Sequence, residues 1–283
     1  QLYVQFRQKD PNQCLTALAK LEACIEDVRT WMIRNKLKLN EDKTEFITIT
    51  SKHYAPVYQQ LNLTLTVGGI KIKPSTSVRN LGAFFDDNLT LNQQVNNIKR
   101  SMYFHIREIG HVRRYLDQDT THMAVQALVM SRLDYANALL LGLPATTLHG
   151  LQVAQNTAAR LITRTNKREH ITPVLKSLHW LPVAQRVKYK CLALCYKSLH
   201  NDSAPEYLRQ MLHPYKPSRA LRSGSGTTKL AVSRSNNLYG DRAFSIQAPQ
   251  LWNSLPCDIH NHTTFPSFKR ALKTFLFKDY FTI

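Results

Sequence analysis

The sequence predicts a helix-dominated α+β fold, with a small antiparallel sheet in its first 90 residues and helices after it. Three observations predict this. Short alternating apolar stretches flank a Gly-Gly pair before residue 90, the pattern of hairpin strands. From about Leu91 onward, apolar residues return every three or four positions, the period of a helix with one buried face. The chain has 283 residues, 43% of them hydrophobic, enough for two domains and a sizeable core and too many for wholesale disorder.

Taken in order, residues 2–6 (Leu-Tyr-Val-Gln-Phe) read as a short strand, alternating and rich in aromatic and β-branched types. A long amphipathic helix follows, in which Leu15, Leu18, Leu21, Ile25, Val28 and Met32 step along one expected buried face. Phe46 to Thr50 returns to strand. The clearest hairpin comes next: Leu61, Leu63, Leu65 and Val67 alternate, Gly68-Gly69 turn the chain, and Ile70 and Ile72 alternate back. Glycine at both central positions permits the two positive φ angles of a type I′ turn. A third strand, Val78 to Phe85, is expected to complete the sheet. Beyond Leu91, Val95, Ile98, Met102, Ile106 and Ile109 mark the inner face of a helix. Further helices are expected at about 120–141 and 147–163, with a turn at Gly142 to Pro144 between them. Others are expected at about 184–200 and 265–278. The segment 213–240, with Pro214, Pro217, Gly224 and Gly226 among Ser, Arg and Thr, reads as loop.

Charge narrows the partners. Lys and Arg number 38 against 19 Asp and Glu, a formal +19. Residues 1–90 hold 12 basic and 9 acidic side chains (+3), and the remaining 26 and 10 give +16. Such an excess repels itself in the compact state and accelerates encounter with polyanions. Phosphate backbones are the commonest partner of this kind, an anionic membrane surface or plain solubility being the alternatives. The longest apolar stretch, around Ala138 to Ala145, is broken by Gly142 and Pro144 and falls short of the ~20 residues of a membrane span. Five cysteines, an odd number with no secretory leader ahead of them, point to reduced thiols in the nucleus or cytoplasm. Because the first residue is Gln1 rather than Met, the chain is expected to begin inside a larger reading frame.

Several motifs carry a family resemblance. The run Trp31-Met32-Ile33-Arg34-Asn35-Lys36-Leu37-Lys38-Leu39-Asn40-Glu41-Asp42-Lys43-Thr44-Glu45-Phe46 resembles the palm segment of non-LTR (LINE-type) retrotransposon reverse transcriptases that follows their Tyr-x-Asp-Asp turn. Gln1-Leu2-Tyr3 is similar to the residues directly after that turn. Val78-Arg79-Asn80-Leu81-Gly82-Ala83-Phe84-Phe85-Asp86 resembles the primer-grip strand, and Ser131-Arg132-Leu133-Asp134-Tyr135 the thumb. Ser177-Leu178-His179-Trp180-Leu181-Pro182 and Ala248-Pro249-Gln250-Leu251-Trp252-Asn253-Ser254-Leu255-Pro256 are similar to the C-terminal region. The motifs span nearly the whole chain in the family's order. The resemblance implies the end of a polymerase palm (1–90), a helical thumb (91–165) and a C-terminal region (166–283). It implies RNA-directed DNA synthesis on an RNA template with a DNA primer, and the upstream palm, fingers and endonuclease of the same polyprotein as partners. It implies Mg2+ for the full-length enzyme, held by aspartates upstream of residue 1, and no cofactor within this chain. Such a fragment is expected to bind template–primer and not to polymerise alone. The rivals are a domesticated RNA- or DNA-binding protein and a degenerate product without function.

Candidate residues follow from both readings. The resemblance implies that Lys43 reaches the incoming nucleotide's phosphates and protonates pyrophosphate as a general acid. The residues alone suggest an exposed loop lysine beside Glu41, Asp42 and Glu45. Lys36 and Lys38 are expected to be solvated or to face phosphate. Leu81-Gly82 would sit at the primer grip, where a small residue lets backbone approach the primer, or would be a bulge or packing glycine. On the helix after Leu91, Lys99, Arg100, Tyr103, Arg107, His111 and Arg114 suit tracking along an RNA–DNA hybrid, cations on phosphate and an aromatic on sugar or base. Asp86-Asp87 superficially imitates a catalytic acidic pair, and a solvated turn after a strand is the better reading. Cys191 and Cys195, with His200 and the distant Cys257, His260 and His262, could be drawn as a zinc site. Their place among Leu192, Leu194 and Tyr196 reads as buried thiols. Trp180 and Trp252 read as core anchors. Arg219, Arg222, Arg234 and Arg242 belong to a basic loop that either contacts nucleic acid or is a linker.

Overall fold

The computed structural model describes residues 1–200, 204–216, 229–235 and 239–282, and divides into two compact units, Gln1–Gln94 and Val95–Ile283. The protein is helix-dominated, with two antiparallel strand pairs as its sheet structure. Segments 91–165 and 166–283 fall together in the second unit. Arg219 and Arg222 lie outside the described residues.

The first unit is built on α1 (Pro11–Arg34). Proline at its first position and Asp10, whose carboxylate accepts from Asn12 N at 3.1 Å, fix its start. Its buried face runs through Cys14, Ala17 and Ile25, with Leu18 and Leu21 half-buried. The face predicted from periodicity is corrected here, because Leu15, to one side of that stripe, and Val28, in line with it toward the end of the helix, are both exposed. The reason is the small extent of what the helix covers. That is β1 (Leu65–Val67), which turns only Leu65 and Val67 inward to meet Ile25. A neighbouring cluster joins Cys14, Tyr58 and Leu63, Tyr58 coming from the short α2 (Ala55–Gln60).

β1 pairs with β2 (Ile70–Ile72) in the register Leu65↔Ile72 and Val67↔Ile70. Gly68 (φ +56) and Gly69 (φ +87) form the expected turn with two positive φ angles. The expected third strand is corrected to a second hairpin, β3 (Ser77–Asn80) and β4 (Ala83–Asp86), separate from the first pair. Its two-residue turn is Leu81 (φ +46) and Gly82 (φ +84). Leucine disguised this turn, since a Cβ-bearing residue in the left-handed region costs about 1–2 kcal/mol. Residues 2–6 and 46–50 are not strands, because neither finds a strand ladder to join. The second segment makes isolated bonds instead, Ser75 N to Phe46 O at 2.7 Å and Thr50 N to Asp87 O at 3.1 Å.

Helix α3 (Asn92–Val112) carries the chain into the second unit. Its five periodic residues, Val95, Ile98, Met102, Ile106 and Ile109, are all buried, Met102 completely. The helix expected at about 120–141 is corrected to three pieces. α4 (Gln118–Val125) passes into a π-helical turn (Gln126–Met130), and α5 (Ser131–Asp134) follows. Ala136, at φ +50, then redirects the chain into a 3-10 turn (Asn137–Leu140), which packs on α8 (Val183–His200) through buried Asn137 and Leu140. After the Gly142 turn (φ +73), α6 (Ala145–Thr163) buries Leu151, Ala154, Gln155, Ala158, Ala159 and Ile162. Three alanines on that face let α4, α7 (Ile171–Ser177) and α8 (Val183–His200) approach closely.

Helix α8 is the axis of this unit. Val187, Cys191 and Cys195 recur every four residues along its buried face, and α10 (Phe244–Asn253) and α12 (Phe265–Phe281) pack against it. Between them lies an aromatic cluster: Tyr196 stacks on Phe268 at 4.2 Å and Trp252 on His260 at 4.7 Å. The Tyr196 hydroxyl donates to His262 O at 2.8 Å. Two further short helices are α9 (Glu206–Gln210) and α11 (Cys257–His260). Asn253 clamps Leu230 by both its N and O at 2.8 Å, fastening the described part of segment 213–240 to α10. Trp180 and Trp252 are buried, as core anchors should be.

Candidate nucleic-acid interface

The residues proposed for nucleic-acid contact fall in both units, and each unit's set is described by itself. In the first unit, α1 ends at Asn35, whose side chain donates to Trp31 O at 2.8 Å. Lys36 follows at φ +60 with its amide on Ile33 O, and both Lys36 and Lys38 are exposed. Lys43 closes a single 3-10 turn (Glu41–Lys43), its amide held by the Asn40 side chain at 3.1 Å and its own side chain exposed. That turn lies against the β1–β2 hairpin, with Glu41 Oε1 3.1 Å from where a Cβ on Gly68 would stand. Two residues after Lys43, Glu45 accepts from Arg79 N at 3.3 Å, so the Lys43 segment is tied to β3. Leu81, 81% exposed, and Gly82 form the tip of that hairpin.

Asp86 is not a solvated turn residue. One carboxylate oxygen accepts from Thr90 N at 2.7 Å, and the other from Leu91 N at 2.6 Å and from the Thr90 hydroxyl. Both oxygens are thus consumed in holding the turn Thr90–Leu91 that follows β4. Asp87 accepts from the Asn88 side chain, and its carbonyl from Thr50 N. The pair is structural.

In the second unit, the α3 residues opposite the buried face form one line. Arg100, Tyr103, Arg107 and His111 are exposed and step by three or four, and exposed Arg114 continues the line in the turn that follows. Lys99 lies off this line: its side chain packs beside Gly150 of α6, 3.4 Å from where a Cβ would stand. Three exposed arginines two turns apart, at about 10 Å intervals, can meet phosphates along a backbone, and Tyr103 between them offers a ring. Two further aromatics flank the line and were not picked out from the sequence, Phe104 (50% exposed) and Tyr115 (73%). Tyr115 packs against Arg114, whose guanidinium carbon is 4.6 Å from the ring centroid. An apolar residue exposed beside a buried face carries no signal in periodicity, which explains the omission.

Arg113 was also missed, and it positions the others. It is buried, and its guanidinium donates to Leu161 O and Ile162 O at 2.8 Å and to Leu116 O at 2.7 Å. Burial lowers its pKa from the ordinary arginine value, with Arg164 adding to the effect. The carbonyls at the C-terminus of α6 compensate the charge. Lys99 at Gly150 and Arg113 at Leu161 and Ile162 together set α3 and α6 side by side in the same direction. The exposed line is therefore carried on a helix that meets α6 at Lys99 and is bonded to it just past its C-terminal end by Arg113.

The cysteines resolve as packing. Cys191 and Cys195 are buried on α8, and burial pushes the Cys191 thiol up to about 12 and that of Cys195 further still. Arg234 is exposed, and Arg242 packs over Gly142. No helix among the described residues is long and apolar enough to cross a membrane. No protein-family model, curated protein or solved structure matches this chain.

Proposed function

We propose that this chain is the C-terminal part of a LINE-type RNA-directed DNA polymerase and that it holds the template–primer hybrid through α3. The observation that carries the reading is the split character of that helix: five apolar residues buried on one side, and Arg100, Tyr103, Arg107, His111 and Arg114 exposed on the other. A solvated helix face normally mixes both signs of charge, yet the nearest acidic residue to this line, Glu108, meets only Arg107, at 4.0 Å. The charge of +16 beyond residue 90 supports the same reading. Lys43, exposed on its capped turn, is available for the proton-donor role the resemblance suggests.

The Mg2+ that such an enzyme uses would be held by aspartates upstream of residue 1. Among the described residues no three His, Cys, Asp or Glu side chains gather to hold a metal ion, and both oxygens of Asp86 are taken by the backbone and Thr90. Apart from the proton that Lys43 would supply, the residues here would bind and orient the hybrid.

The test is a titration of an RNA–DNA hybrid against salt. Affinity should fall steeply as salt rises, and Arg100→Glu with Arg107→Glu should lower the slope of log K on log[salt] by about 2, one for each lost phosphate contact. A flat salt dependence, or a slope the double substitution leaves alone, would refute the interface.

A further inference from the structure

A cavity of about 540 Å³ in the second unit lies among α4, α8, α12 and the segment 178–181. Its size is that of a site enclosing one small molecule. Three features of its lining specify the chemistry of the occupant. First, Lys190 of α8 and Lys273 of α12 bring two ammonium groups to it from different helices, and neither has an acidic partner among the described residues. The carboxylate present, Asp134, is already engaged by Arg186 at 2.7 Å and by Asn137 Nδ2 at 3.4 Å. The lining therefore offers positive charge from two helices to an anion. Second, Asn137 is only 2% exposed, and its Oδ1 has no hydrogen-bond partner. Turning the amide over would set that oxygen against the Asp134 carboxylate, so the orientation is fixed. A buried carbonyl oxygen without a donor is unfavourable until an N–H or O–H meets it. Third, aromatic rings line the space: Trp180, Tyr189 and His122, the last 6.0 Å from Trp180.

The backbone around this cavity is also unusual. His179, in the lining, ends α7 at φ +54, with Trp180 N bonded back to Leu175 O at 2.9 Å. A histidine thus stands where such a helix end favours glycine. Ala136, just before Asn137, has φ +50, and Gln126, in the lining, opens the π-helical turn. Left-handed non-glycine residues and π turns recur where a site demands a shape that regular structure does not supply.

We infer that this cavity binds a nucleoside monophosphate, its phosphate on Lys190 and Lys273, a base N–H on Asn137 Oδ1 and its ring among the aromatic side chains. A flat ring bearing an N–H, joined to a dianion, satisfies all three features at once. A free nucleotide and the phosphorylated end nucleotide of a strand share this chemistry. The inference does not depend on the polymerase reading, since its residues are separate from the exposed line of α3.

The test uses the full chain and equilibrium titration with AMP, ribose 5-phosphate, adenosine and a 5′-phosphorylated dinucleotide. AMP should bind at least about tenfold more tightly than ribose 5-phosphate or adenosine, because each lacks one half of the recognised ligand. Lys190→Glu with Lys273→Glu, both exposed and so neutral for folding, should raise the AMP Kd at least about tenfold. Arg100→Glu with Arg107→Glu should leave that Kd unchanged. A dinucleotide bound more tightly than AMP assigns the pocket to a strand end, and equal affinity assigns it to a free nucleotide. Equal Kd values for AMP and ribose 5-phosphate would overturn the inference. So would an equal loss of AMP affinity in the two charge-reversed variants, or no saturation up to about 1 mM AMP.

Discussion

Arg113 shows how much a single side chain decides in the second unit. Its three bonds go to carbonyls that have no other donor in the helix ladder, because they lie in or just beyond the last turns of α6 and α3. Arg113→Met keeps the apolar stem and removes the donors, and should destabilise the protein by about 3 kcal/mol. Urea denaturation measures this, and a change under about 0.5 kcal/mol would mean that water substitutes for the guanidinium. The buried thiols give a second expectation, and its sign follows from burial. Cys191 is held neutral in the fold, its pKa raised from 9.0 to about 12, while the unfolded thiol ionises near 9.0. The stabilisation is complete below pH 9 and is lost as pH climbs from 9 toward 12. Each such thiol should cost about 1.4 kcal/mol per pH unit in that window. Denaturation midpoints between about pH 8 and 10.5 should therefore fall less steeply in a Cys191→Ala, Cys195→Ala variant. Parallel profiles would show that other groups control the alkaline limb.

Elements were legible where one rule acted alone. Gly68-Gly69 announced its turn because glycine is the residue that two successive positive φ angles require. Leu81-Gly82 makes the same kind of turn and stayed hidden behind a leucine. This predicts a stabilising change: Leu81→Asn places a residue tolerant of φ +46 there and should raise stability by about 1 kcal/mol. A loss of stability instead would show that contacts of the leucine side chain outweigh the backbone strain. The face of α3 was read correctly because all five of its periodic residues are buried. For α1 the same rule misplaced Leu15 and Val28, since a two-stranded hairpin covers less of a helix than neighbouring helices do. The break at Ala136 had no signal, because alanine is the strongest helix former and only its surroundings force it left-handed.

At the scale of the molecule, the two units differ in both core and charge. Residues 1–94 rest on two small clusters, around Tyr58 and around Ile25, and leave Trp31, Ile33 and Leu37 at least half exposed. The second unit buries Met102, Leu151, Ile162, Leu192, Trp252 and Phe268 almost completely, and it carries the large positive excess. Calorimetry should resolve two transitions, the first belonging to residues 1–94, with amides of α1 exchanging before those of α6 and α8. Added salt should raise the second transition more than the first, because it screens self-repulsion in the more highly charged unit. One cooperative transition followed by every probe would mean that the units do not unfold independently.

Five of the longer helices (α1, α3, α6, α8 and α12) and the first hairpin were determined by the sequence itself, as were the inner face of α3 and the arginines on its outer face. Each depends on local spacing and on the φ freedom of glycine, which a chain carries wherever it folds. Tertiary structure alone decided that Lys99 turns aside to Gly150, that Asp86 holds Thr90 and Leu91 instead of facing water, and that Arg113 is buried. It alone brought Asn137, Lys190 and Lys273 to one cavity from positions over 130 residues apart. Such meetings depend on which distant groups satisfy one another's hydrogen bonds and charges once the core has closed, and no local pattern encodes that.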